Sequence, residues 1–189
     1  MLNGSMQRAY LAGTARMAEA ESASIHAGDA PDGDGFAVAP TLVETTAAAL
    51  RADRSPLLEE CFGPVGVLAR YRDETDLLDT LGRLEGSLTA AVHVGTGETE
   101  LPAKVLALAQ SFAGRVLVNG YPTGVAVNWS MMHGGPWPAS TSAGHTSVGA
   151  TSIRRFLRPV AFQNVPDALL PQELRDDNAL GLPRRTVAH

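Results

Sequence analysis

Glu60, Cys61 and Phe62 place a carboxylate, a thiol and an aromatic ring on consecutive residues within Glu59-Glu60-Cys61-Phe62-Gly63-Pro64. A carboxylate at Glu60 can accept hydrogen bonds from two hydroxyls of a sugar, and Phe62 can offer a ring face to a flat heterocycle. Gly63 and Pro64 then fix a tight, stiff turn. The same residues also read as the beginning of a strand with one exposed acid and one core ring, and at this level both readings stand. Cys61 is the only thiol in the chain. Its neighbours Glu59 and Glu60 disfavour a thiolate, so it reads as a structural cysteine and not as a nucleophile. A hydrolase pair of Cys61 with a spatially adjacent histidine is a third reading. His93, His133 and His145 have neither the H-x-x-x-H spacing of a helical metal site nor an H-E-x-x-H pattern, and no metal is predicted. They read as core or loop histidines, with His133 set apart because Gly134 and Gly135 allow close backbone approach to a ligand. Asp29, Asp32 and Asp34 lie in a Gly-, Asp- and Pro-containing stretch that lacks the late bidentate Glu of a calcium loop, so an exposed hairpin or loop is expected.

These residues need a scaffold. Ser5 to Glu21 is predicted to be an amphipathic helix, with Met6, Tyr10, Gly13 and Met17 on one face. Phe36 to Glu44 reads as a strand interrupted by Pro40, hence an edge or a strand end. Val65 to Tyr71 is an apolar run of the kind buried in a parallel sheet. Asp73 can cap the next helix, where Leu77, Leu78, Leu81 and Leu84 form a stripe before Gly86 ends it. Leu88 to Val94 is a second strand. Thr99 can cap a second helix that tolerates Pro102 in its first turn, buries Leu101, Val105, Leu108 and Phe112, and stops at Gly114. Arg115 to Asn119 is a third strand. Strand, helix, strand, helix, strand at this spacing predicts right-handed crossovers and one parallel α/β sheet. Residues 120–146 are rich in Gly, Pro and Ser without periodicity, which suits a functional loop. Thr146 or Ser147 can cap a short helix through Ile153 and Phe156, Arg158 to Gln163 reads as a strand, and the tail with Pro166, Pro171 and Pro183 is expected to be irregular.

Composition narrows the function classes. With 189 residues, 44% hydrophobic and 19% charged, the chain can bury a core. Fifteen Lys and Arg against twenty Asp and Glu give a net charge of −5, which argues against a nucleic-acid surface. No apolar run approaches the ~18 residues of a membrane span. One cysteine excludes an internal disulfide framework and a cysteine-based zinc cluster. A cytoplasmic location is the expectation.

Glu60-Cys61-Phe62-Gly63-Pro64 resembles the E-x-F-G-P motif of the aldehyde dehydrogenase superfamily. The likeness continues through Gly86-Ser87-Leu88-Thr89-Ala90-Ala91-Val92-His93, through residues 114–125 (GRVLVNGYPTGV), and through His133-Gly134-Gly135-Pro136-Trp137-Pro138. That last run, with Arg158-Pro159-Val160, looks most like the branch of 2-oxoglutarate semialdehyde (2,5-dioxovalerate) and fatty aldehyde dehydrogenases. The resemblance implies an α/β fold, a three-layer parallel sheet with flanking helices. Residues 1–157 would be the C-terminal part of the catalytic domain and 158–189 an oligomerisation strand and tail. It implies NADP or NAD as cofactor, with Glu60 on the nicotinamide ribose and Phe62 beside the nicotinamide ring. Tyr121, Val125, Trp129, Met132 and His133 would line the aldehyde channel, although Trp129 and Met132 could equally cover core. In that family the cysteine nucleophile, the oxyanion Asn, the glutamate base and the dinucleotide fold lie before the point matching Met1. The chain alone is therefore expected neither to oxidise aldehydes nor to bind NADP tightly. A homo-oligomer through Arg158 to Gln163 is implied; the alternative is a non-catalytic remnant that self-associates or pairs with a full-length relative.

Overall fold

The computed structural model describes residues 1–185 except 30, 34, 53 and 54. Residues 1–152 and 153–189 form two separate compact units.

In the first unit, α1 (Gly4–Ala18) begins where Asn3 accepts from the Met6 N–H at 2.9 Å, a side-chain cap that satisfies one orphan donor of the first turn. Tyr10, Gly13 and Met17 are its buried face, as their spacing predicts. Three strands follow in one sheet. β1 (Ser24–Ala27) is antiparallel to β2 (Thr41–Thr46), and β2 is parallel to β3 (Val65–Arg70). The strand expected over residues 36–44 lies later than its composition suggested. Residues 36–40 are not extended ladder, because Pro40 has no N–H to donate and the hairpin closes instead through Gly28 N–H to Pro40 O at 2.9 Å. Met17, Val43 and Leu57 form the core between α1 and this sheet. Of the acidic 28–35 stretch, Asp34 lies outside the described residues, and Asp29 and Asp32 are exposed in coil.

α2 (Ala47–Leu50) is short and ends at Arg51. α3 (Glu74–Leu81) is capped by Asp73, whose carboxylate accepts from the Asp76 N–H at 2.8 Å. This helix stops at Gly82, four residues before Gly86. Its leucine stripe is only half-buried, whereas Asp76 and Thr80 are buried. The reason is an ion cluster: Arg51 reaches Asp76 at 2.6 Å and Thr80 Oγ1 at 2.7 Å, and Arg72 reaches Asp76 at 3.2 Å. A carboxylate can be buried there because guanidinium donors surround it.

β4 (Ser87–Val92) and β5 (Ala113–Val118) form a second, parallel pair, joined by α4 (Glu100–Phe112). α4 passes straight into β5 at Ala113, and Thr99 caps it through its carbonyl to Ala103 N–H at 3.0 Å and not through its hydroxyl. Ala109, Phe112 and Ala113 form the second core. The α/β class with parallel strands and flanking helices is as expected, but one sheet containing β3, β4 and β5 is not. β3 ladders with β2 alone and β4 with β5 alone, so the crossover through α3 joins two sheets.

Ala150–Phe156 is a 3-10 helix that carries the chain into the second unit. Residues 158–163, expected as a strand, are exposed coil. The physical reason is that a strand is a ladder of hydrogen bonds, and no partner strand for this segment exists among the described residues. The tail is irregular, with 3-10 turns at Asp167–Leu169 and Gln172–Leu174, each opened by a proline.

Candidate functional site

The turn bearing Glu60 and Phe62 is fixed from below by α1. The Tyr10 hydroxyl lies 2.7 Å from Ala39 O, 2.9 Å from Thr41 Oγ1 and 3.3 Å from Pro64 O, so one buried ring ties the helix, β2 and the turn together. Gly63 sits at φ +151°, and a Cβ there would run into the Tyr10 ring. Glycine is required at that position for conformation and for space. Gly13 plays the matching part on the helix, because a Cβ there would lie 2.6 Å from Cys61 Sγ. Cys61 is therefore wedged against α1, with its sulfur 3.7 Å from Tyr10 O. Burial pushes its thiol up, and Arg16 only partly opposes this. Its neighbourhood suits a structural thiol.

With Cys61 facing inward, Glu60 and Phe62 face solvent, Phe62 with 67% of its surface exposed. Among the described residues no side chain is bonded to the Glu60 carboxylate, and Arg16 pairs instead with Glu59 at 3.3 Å. Glu60 lines two adjoining cavities. One, of about 680 Å³, is bordered by Arg51, Arg83, Glu59 and Glu85. The other, of about 510 Å³, is bordered by Leu58, Leu84, Leu88, Pro138 and Ala139. An exposed carboxylate and an exposed ring two residues apart on a rigid turn fit a ribose and a flat heterocycle.

The second group of expected site residues lies on the loop after β5. Tyr121 is 79% exposed and tilts against His93, with ring centroids 5.5 Å apart. Val125 and Met132 are half-buried, and Trp129 is 78% exposed, which removes it from any core. His133 is half-buried, with Nδ1 3.3 Å from Thr89 Oγ1 and its N–H donating to Thr146 Oγ1 at 3.2 Å. Arg115 donates to Gly124 O at 3.1 Å and anchors the loop. The Gly134-Gly135 pair does make a close approach, but to backbone: a Cβ on Gly135 would sit 2.5 Å from Ser87 O, and one on Gly114 would overlap the Gly135 nitrogen. Neither of these two cavities at Glu60 is lined by a residue of 121–133. Further along the chain, Pro138 and Ala139 line the 510 Å³ cavity together with Glu60.

Sequence reasoning missed Tyr10 as the hub, Glu85 and Ala139 as cavity walls, and His93 as the partner of Tyr121. Tyr10 had a signal in its place on the apolar face of α1; the others had none.

The fold and the turn thus define an α/β protein that presents an acid and a ring at the beginning of a parallel strand. The aldehyde dehydrogenase family matches residues 2–159, and the chain belongs to that family. It is 42% identical over 185 residues to alpha-ketoglutaric semialdehyde dehydrogenase 2 of Azospirillum brasilense, covering 97% of this chain and 35% of that protein. It is 41% identical over 145 residues to alpha-ketoglutaric semialdehyde dehydrogenase of Acinetobacter baylyi, covering 77% of this chain and 28% of that one. The chain thus spans about a third of the length of these relatives. Among solved structures, Delta-pyrroline-5-carboxylate dehydrogenase from Mycobacterium tuberculosis overlays with a TM-score of 0.63 at 17% identity, over 90% of this chain and 32% of that one. A betaine aldehyde dehydrogenase from Staphylococcus aureus overlays at 0.55 and 21% identity, over 82% and 29%. Both show likeness of fold. Among the described residues no helix is long and apolar enough to cross a membrane, and no cluster of His, Cys, Asp and Glu could hold a metal.

Proposed function

We propose that these 189 residues are the portion of an NAD(P)-dependent aldehyde dehydrogenase that holds the nicotinamide ribose and shapes the aldehyde channel. The substrate class is a semialdehyde such as 2-oxoglutarate semialdehyde. The observation that carries this reading is the Glu60–Phe62 turn: both side chains are exposed while Tyr10, Gly13 and Cys61 lock the backbone beneath them. NAD(P) when bound supplies the hydride acceptor. Glu60 accepts its ribose hydroxyls, Phe62 walls the nicotinamide face, and Tyr121, Val125, Trp129, Met132 and His133 border the path of the aldehyde. The nucleophile comes from residues outside this chain, because Cys61 is inward-facing and its thiol is raised. The chain alone does not oxidise aldehydes, and its place of action is the cytoplasm.

The test is Glu60→Gln in the protein isolated at its native length. Losing a charge-assisted pair of hydrogen bonds, about 1.5–3 kcal/mol, raises KM for the nucleotide roughly 10- to 100-fold while KM for the aldehyde stays put. An unchanged nucleotide KM removes Glu60 from the cofactor site.

A second reading concerns assembly. Val160 and Phe162 alternate and are exposed in residues 158–163, which is the pattern of a strand awaiting a partner. This segment pairs between copies in a homo-oligomer or, if the chain is a non-catalytic remnant, with a full-length relative. Size-exclusion chromatography of wild type and Ala161→Pro decides it, and a purely monomeric wild type eliminates self-association.

A further inference from the structure

The β4–β5 pair has two faces, and the chain that follows β5 folds back over one of them. Ala90 and Val116 pack into the core beneath α4. Side chains alternate along a strand, so the register partners Thr89 and Arg115 point to the opposite face. Three contacts bring residues 121–133 against this pair. Tyr121 tilts on His93 with ring centroids 5.5 Å apart, Gly124 O accepts from Arg115 at 3.1 Å, and His133 Nδ1 lies 3.3 Å from Thr89 Oγ1. The charge in this region has one sign. Residues 101–152 contain no Asp or Glu, although the whole chain carries a net charge of −5. Their permanent cations are Lys104, which pairs with Glu74, and Arg115. Arg51 and Arg115 are the half-buried arginines among the described residues of the first unit, and their partners differ. Arg51 is matched by the Asp76 carboxylate at 2.6 Å. Arg115 has one neutral acceptor, Gly124 O, and no carboxylate among the described residues. A guanidinium carries five N–H donors in a flat fork, and burying one even partly without a counter-ion is costly.

We infer that Arg115 is a specificity-determining residue that takes the carboxylate of an anionic semialdehyde, at the end of the substrate remote from its aldehyde carbon. The N–H groups that Gly124 O leaves over suffice to hold a carboxylate by two parallel hydrogen bonds. No acid within residues 101–152 competes for the fork or repels an incoming anion. Residues 121–133 border the aldehyde path in the proposed function, on which this assignment rests, and Val125 adjoins Gly124 in the chain. A carboxylate held at Arg115 therefore lies beside that path. A neutral aldehyde gains nothing from the contact, so Arg115 selects for charge and takes no part in the chemistry.

The test uses the protein isolated at its native length and 2-oxopentanoate as the probe. This probe keeps the 2-oxo acid end and has a methyl group in place of the aldehyde, so it binds without turnover. In calorimetric titration Arg115→Gln should weaken its binding roughly 10- to 100-fold, the range for losing hydrogen bonds between charged groups. Arg115→Lys keeps the charge but not the fork and should weaken it about 3- to 10-fold. Steady-state kinetics gives a second readout: kcat/KM for 2-oxoglutarate semialdehyde divided by that for pentanal should fall in Arg115→Gln by the same factor as the affinity. A residue that only ties down the loop lowers both aldehydes together and leaves the ratio fixed, a result that overturns the assignment. A wild type that fails to bind 2-oxopentanoate overturns it too, as does binding unchanged in either variant. Arg115→Lys retains a donor for Gly124 O and decides alone if the glutamine variant does not fold. Failure of the proposed function shows elsewhere: an unchanged nucleotide KM in Glu60→Gln counts against the cofactor site and leaves the titration, which contains no nucleotide, untouched.

Discussion

The turn at residues 60–64 and the loop at 121–133 carry the two halves of the proposed site, and they are held in opposite ways. Beneath the turn, a fully buried tyrosine bonds three segments, two glycines admit side chains against their Cα atoms, and a thiol fills the remaining space. The loop is tied through Arg115 to Gly124 at one end and His133 to Thr89 and Thr146 at the other, with Tyr121 and Trp129 exposed between. A group that must meet the same ribose in every turnover benefits from a fixed carboxylate, since ordering it on binding would cost affinity. A wall that admits a flexible substrate does not need that rigidity. The difference should appear in stability on one side and in local opening on the other.

The largest effect is expected at Tyr10. Tyr10→Ala leaves a cavity under the turn and strips Ala39 O of its donor, at a cost of about 3–5 kcal/mol in urea unfolding. A loss below ~1 kcal/mol would show that the turn is held by something else. Gly63→Ala is expected next, at about 1–3 kcal/mol, because its Cβ meets the Tyr10 ring and φ is +151°.

Acid should act on the same side of the molecule. The Arg72 guanidinium and N–H, joined by Arg51, hold the Asp76 carboxyl well below the usual carboxylate range. A depressed folded-state pKa means stability that is complete above the unfolded value of about 3.9 and drains away as pH falls below it. The wild-type urea midpoint should therefore drop between about pH 4 and pH 2, and Asp76→Asn should flatten that slope. An identical slope in the variant would show that the cluster contributes nothing to acid sensitivity.

On the loop, Arg115→Ala should cost only about 1 kcal/mol, the worth of one hydrogen bond. It should also speed proteolysis within residues 121–132 without altering the exchange of Val43. Equal loosening of both halves would abolish the contrast between them. Smallest of all is Arg16→Ala, where an exposed ion pair to Glu59 is worth less than about 0.5 kcal/mol.

How much of this could be read from residue order follows the range of the forces involved. α1, α3, α4 and the three parallel strands were legible because their apolar spacing and caps are local; the Asp73 cap is found as expected. The division into two sheets was not, since pairing depends on which edges meet and not on the residues of either strand alone. The buried face of α3 was misjudged because Asp76 reads as a surface acid until Arg51 and Arg72 are seen around it. Glu60 and Phe62 were legible as a pair on a turn. The Tyr10 hydroxyl bonds were not, because they cross between 29 and 54 positions of chain. Residues 158–163 show the same limit from the other side, an alternating pattern whose ladder requires a second strand.

The decisive measurement is steady-state oxidation of 2-oxoglutarate semialdehyde with NADP by the purified 189-residue chain, beside a Cys61→Ala variant. No turnover by either is expected, because the only thiol is packed against α1 and raised by burial. Turnover by the wild type that disappears in Cys61→Ala would contradict the account, making Cys61 the nucleophile and the turn an active centre in its own right.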